Sequence, residues 1–193
     1  VRRRSLVALL AGLLSLLPVS PLRAEHPDPL ARVRELYLAA VREESAIPRG
    51  LRAVEDLRTA RGIRPGSADD AVLTAYRGAL VTLRAKHAAW PPARLRHLRE
   101  GLAVLDRVVA GHPDHPEVRY LRLMSCYYLP GILGRGGSVR EDFAALARLL
   151  PGARDAYPRE LYGAIVGFVL EEGKLAERDR RALQTALAAS ADE

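Results

Sequence analysis

Leu73-Thr74-Ala75-Tyr76-Arg77-Gly78-Ala79-Leu80-Val81-Thr82-Leu83, and after Trp90-Pro91-Pro92 the stretch Leu95-Arg96-His97-Leu98-Arg99-Glu100-Gly101-Leu102-Ala103-Val104-Leu105-Asp106-Arg107-Val108-Val109, decide the fold. Leu73, Tyr76, Leu80 and Leu83 recur at three- and four-residue steps, as do Leu95, Leu98, Leu102, Leu105 and Val109. That spacing puts each set on one face of a helix. Pro91 disfavours helical geometry at Trp90, so the chain turns there. Two amphipathic helices joined by a short turn pack as an antiparallel hairpin.

Working outward, the same punctuation repeats. Asp28-Pro29 reads as a cap with proline at the first helical position, opening a helix to about Ser45. Pro48 opens a second, ending near Gly62, and Ser67-Ala68-Asp69-Asp70 starts the hairpin. Downstream, Pro116 begins a helix with Val118, Leu121 and Tyr128 inward, which stops at Pro130. Ser138-Val139-Arg140-Glu141 has the form of a capping box, launching a helix through Phe143, Leu146 and Leu150. Tyr157-Pro158 starts another, with Leu161, Ile165 and Phe168 inward; the last carries Leu183 and Leu187, and Ser190–Glu193 is expected to fray. No segment alternates with period two. The fold class expected is all-α, built of antiparallel helical hairpins.

The first residues read differently. Arg2-Arg3-Arg4 precede the apolar run Leu6–Val19, which Pro18 interrupts. A basic start and a short apolar core are the parts of an export signal, and the run is shorter than the ~20 residues of a spanning helix. Residues 1–24 are read as a cleaved signal peptide and 25–193 as one helical domain working in the periplasm or outside the cell, without stable membrane insertion. The chain has 30 Lys+Arg and 23 Asp+Glu, but four arginines and no acid lie in residues 1–24, so the remainder is only +3. That small excess does not favour nucleic acid. Cys126 is the single cysteine, in an apolar stretch, and reads as a small core residue.

Gly101-Leu102-Ala103-Val104-Leu105-Asp106-Arg107-Val108 with Pro113 resembles the junction between two tetratricopeptide (TPR) units, Gly101, Leu105 and Val108 falling where those repeats place small, large and small packing residues. Residues 130–137 interrupt the repeat's period of about 34 residues. Over roughly residues 70–150, Tyr76-Arg77-Gly78-Ala79, Lys86-His87-Ala88-Ala89-Trp90-Pro91, Glu117–Arg122 and Leu129–Gly134 with Glu141-Asp142 resemble a group of uncharacterised exported bacterial helical proteins. The chain is also similar to the periplasmic helical partner subunit of some solute transporters. These resemblances imply a TPR-like right-handed array or irregular bundle, and supply no catalytic residue.

Four places carry residue types suited to chemistry. His112-Pro113-Asp114-His115 has metal-ligand types, but no helical i, i+4 pair and no third or fourth ligand, so it reads as a turn. Gly134–Ser138 could present backbone N–H groups to an anion, yet lacks a P-loop ending and reads as a capped turn. The acidic pairs Glu43-Glu44, Asp69-Asp70, Glu141-Asp142 and Glu171-Glu172 point to different helix faces and read as helix-end and surface charge. The candidate ligand-binding set is Tyr76, Arg77, Lys86, His87, Trp90, Arg119, Arg122 and Tyr127, since aromatic and arginine side chains are what binding surfaces favour. Arg119 and Arg122 share a face and, with Arg77, could line a groove for an acidic peptide or small anion. No G-x-S-x-G, H-E-x-x-H or dinucleotide-binding glycine pattern is present. The expectation is therefore a non-enzymatic binding or scaffold module with an envelope protein or peptide partner and no cofactor. A small-ligand or anion carrier, a transporter partner subunit, and a helical enzyme using the Arg/His/Tyr cluster stand as alternatives.

Overall fold

A computed structural model describes residues 28–191; the expected signal segment lies outside them. The described residues form eight α-helices and no strand: α1 Ala31–Ala40, α2 Ala46–Ala60, α3 Ala68–His87, α4 Pro91–Gly111, α5 Pro116–Tyr127, α6 Gly136–Leu149, α7 Arg159–Glu172 and α8 Glu177–Ala191. Single 3-10 turns cover Gly131–Leu133, Leu150–Gly152 and Arg154–Ala156. The fold is all-α, and no described helix is long and apolar enough to cross a membrane.

The α3–α4 hairpin is the most extensive helix pair. Ser67 Oγ accepts the Asp70 N–H at 3.2 Å, and Asp69 and Asp70 place negative charge on the first turn of α3. Pro91 and Pro92 open α4, where a missing N–H costs nothing. The helices cross at Gly78 and Gly101. A Cβ on Gly101 would lie 2.6 Å from Gly78 O and from Thr82 N, and closer still to Thr82 Oγ1. Glycine is required there because backbone meets backbone.

Two apolar cores share α5. Ile47, Val54, Leu73, Leu80 and Leu105 form one with Val118 and Leu121 of α5. Phe143, Leu146, Tyr162, Ile165 and Leu183 form the other with Leu123. Cys126 is buried in the first, as a small core residue would be, and burial pushes its thiol up despite an opposing contact from Arg135.

Local readings shift at several ends. α1 stops at Ala40 rather than Ser45, and Ser190 is helical and buried, its hydroxyl donating to Leu187 O at 2.7 Å, instead of frayed. Ser138 does not cap α6, which begins two residues earlier at Gly136, and Glu141 does not return to the helix start. Its carboxylate goes to Arg119 and Arg122 instead, because charge-assisted bonds to two guanidinium groups outweigh one bond to a backbone N–H. Tyr128, assigned to the apolar face, is 72% exposed; α5 ends at Tyr127, so the helical period no longer directs it inward.

Candidate binding groove

The predicted site residues do not form one site: most fall in three separate settings, and Arg77 is exposed apart from them. At the start of α5, Glu117 Oε1 accepts from the Tyr76 hydroxyl at 2.5 Å and from Arg34 Nε at 2.9 Å, and Oε2 accepts from Arg34 Nη2 at 2.7 Å. Arg34 also pairs with Asp28, and the Glu117 N–H donates to the Tyr157 hydroxyl at 3.1 Å. Burial, then the Glu117 charge, push the Tyr76 hydroxyl well above its usual value, so it stays a donor. Tyr76 is thus a core anchor.

In the second setting, Arg119 and Arg122 are buried between α5 and α6. Arg119 Nη1 donates to Glu141 Oε1 at 2.7 Å and Asp142 Oδ1 at 3.0 Å, and its Nε donates to Pro113 O at 2.7 Å. Arg122 donates to both Asp142 oxygens, and Asp106 accepts from Arg135 at 2.6 and 3.0 Å. Burial would lower the Arg122 pKa, but the hydrogen bonds to Asp142 and Glu141 outweigh it and hold the charge. These guanidinium groups tie helices together and do not open with exposed Arg77 into a common anion groove. The pair Glu141-Asp142 is split: Asp142 has no exposure, unlike a solvated surface acid, whereas Glu141 is exposed as expected while it bonds the two arginines. Asp114 lies 3.1 Å from Arg148, and among the described residues no group of three or more His, Cys, Asp or Glu side chains gathers as metal ligands do. Tyr127, half-buried, packs edge-on to Phe143 and Phe168 and donates to Glu172.

The third setting is a surface groove of about 1210 Å³. Its floor and one wall come from Leu83 of α3 and Leu98 of α4; Leu38 at the end of α1 and Met124, Tyr128 and Leu129 around the end of α5 complete it. Leu133 closes the side toward a smaller hollow of about 420 Å³ that shares Leu95, Leu98 and Leu133. The 130–134 turn is set by Gly134, at φ +69°, whose N–H donates to Gly131 O at 3.0 Å. It carries Ile132, 95% exposed, outward beside the groove. Leu38 is 64% exposed and Leu95 38%. So much clustered apolar surface left in water is a mark of an interaction site.

The charged residues of the groove are all basic: Arg42, Lys86 and Arg94. Lys86 Nζ donates to Val41 O at 2.7 Å and Arg94 Nε to Ala88 O at 2.5 Å, satisfying carbonyls at the ends of α1 and α3. His87 Nε2 lies 2.8 Å from Ala40 O at the same end. Each ammonium or guanidinium keeps further N–H donors, and no described carboxylate pairs with Arg42, Lys86 or Arg94. The groove therefore combines an apolar floor with a net positive rim.

Of the eight predicted residues, Lys86 lines the groove; Trp90, 67% exposed, stands at the start of α4 next to the lining residue Pro91. Leu38, Met124, Leu129 and Leu133 were missed. Leu129-Pro130-Gly131-Ile132-Leu133 did carry a signal, since apolar side chains in a proline- and glycine-bounded loop have no helix face to hide on. No family model, curated protein or solved structure matches this chain.

Proposed function

We propose that the protein is an exported, non-enzymatic helical binding module of the cell envelope, whose groove between the ends of α1, α3, α4 and α5 docks a segment of a protein partner. The observation that carries this reading is the open apolar groove itself, with Leu38 and Tyr128 both mostly exposed on its walls. The antiparallel α3–α4 hairpin, the TPR-like spacing read in the sequence around Gly101 and the export signal read in residues 1–24 fit an adaptor or a transporter partner subunit. The alternatives of an anion carrier or an enzyme built on the Arg/His/Tyr cluster find less support, because Arg119 and Arg122 already have carboxylate partners on α6.

Photo-crosslinking in the cells that make the protein tests this. A photoreactive residue at Leu38 or Tyr128 is expected to give one recurrent adduct with another protein. The same residue at exposed Arg181 of α8, a helix that packs on α6 and α7 and lines no part of the groove, is expected to give none. Adducts only within the chain or with a second copy, or equal labelling from Arg181, would overturn the reading.

A further inference from the structure

We propose that the groove takes an amphipathic α-helix whose apolar face is flanked by carboxylates; this rests on the reading of the groove as a docking face. Three observations narrow the occupant. First, the described residues contain no strand, so an extended peptide has no sheet edge to join. The groove lining is mostly aliphatic, with Tyr37 and Tyr128 its only aromatic residues, which suits the apolar face of a helix better than the aromatic slots that dock polyproline segments. Second, the walls are wet: Leu38, Leu95 and Tyr128 are 64%, 38% and 72% exposed. An acyl chain needs enclosure over most of its surface, and would here be left with one side in water. A helix buries one face and roofs the groove with its polar side. Third, Arg42, Lys86 and Arg94 all lie where α1 and α3 end and α4 begins, with no acid among the lining residues. An apolar segment flanked by Glu or Asp meets that field favourably, and one flanked by Lys or Arg meets repulsion. A concave, positive surface also fits a membrane face poorly, because a bilayer offers no ridge to fill it.

The test uses the protein as isolated from its cells and a set of labelled peptides of about 18 residues with Leu at i, i+3, i+4 and i+7. One carries Glu on both flanks of the Leu face, one carries Lys there, and one keeps Glu but scatters the Leu residues. The Glu-flanked peptide is expected to bind at least about tenfold more tightly than either other, with affinity falling as salt rises. Arg42→Glu, at an exposed side chain with no ion-pair partner, is expected to reduce that preference severalfold without altering the fold. Equal binding of Glu- and Lys-flanked peptides, no binding of any peptide, or comparable retention by palmitate or by anionic phospholipid vesicles would overturn the inference. A groove crosslink to a protein alongside equal peptide binding leaves the docking function standing and removes only the acidic helix; absence of the crosslink removes the function itself.

Discussion

Asp142 is fully buried, and both of its carboxylate oxygens accept from Arg122: Oδ2 from Nε at 2.8 Å and Oδ1 from Nη2 at 2.7 Å. Arg119 Nη1 adds a third bond at 3.0 Å. Asp142 and Glu141, which also accepts from both arginines, together balance the two buried cations and fasten α6 to α5. Removing one member of such a cluster is costlier than the cluster is worth, because the remaining charges stay buried without compensation. Asp142→Ala is expected to lower unfolding stability by about 3–5 kcal/mol in urea titration. Glu141→Ala, at a side chain 57% exposed, is expected to cost under about 1 kcal/mol. Equal losses would show that burial does not decide the effect.

The Gly78–Gly101 crossing gives a second, purely steric prediction. Gly101→Ala forces backbone apart and is expected to cost about 1–3 kcal/mol by overpacking. Gly111→Ala, near the end of the same helix with no heavy atom within 4 Å of the added carbon, is expected to be neutral or stabilising by up to about 1 kcal/mol. Thermal melts of the two variants check this pair.

Tyr76 donates to a carboxylate that is itself buried. Tyr76→Phe keeps the ring and its edge-on contact with Tyr37 but removes that donor. A loss of about 1.5–3 kcal/mol is expected, typical of a hydrogen bond to a charged group. Binding in the groove should be unchanged, which peptide titration of the variant checks.

Acid sensitivity follows from His115 and Glu141. Burial lowers the His115 pKa below its usual 6.5; Glu117 and Asp69 oppose this, and His112 adds to it. The unfolded chain then binds the proton more readily, so this contribution is complete above about pH 6.5 and is lost as pH falls. The Arg119 hydrogen bond holds the Glu141 carboxyl below its usual 4.5, so its contribution is present above that pH and disappears on further acidification. Urea midpoints at pH 7.5, 5.5 and 4 are expected to fall in two steps, and His115→Asn is expected to flatten the first. A midpoint independent of pH between 7.5 and 5.5 would contradict the burial effect.

The helices and the α3–α4 hairpin were legible because their signals are local: apolar steps of three and four, Ser67 before two acids, proline pairs at a turn. The groove was not, because it is assembled from residues as distant as Leu38 and Leu133. Arginines mislead for the same reason. Arg119 and Arg122 are indistinguishable in sequence from Arg77, yet the first two meet α6 carboxylates and the last faces water. The pairing depends on the register of α5 against α6, which no spacing within either helix reveals. Ser138 and Glu141 fit a capping box equally well on paper, until the buried arginines compete for the glutamate.

Met124 is the sequence's only methionine and lines the groove, so its methyl group is a single reporter there. With a carbon-13 methyl label, its resonance is expected to shift in a saturable way on adding the Glu-flanked amphipathic helix, with the same dissociation constant as the peptide's own label reports. Leu38→Asp, which places a like charge and a polar group on the groove wall, is expected to abolish both signals. Peptide binding that leaves the Met124 methyl unmoved would contradict the groove as the docking site.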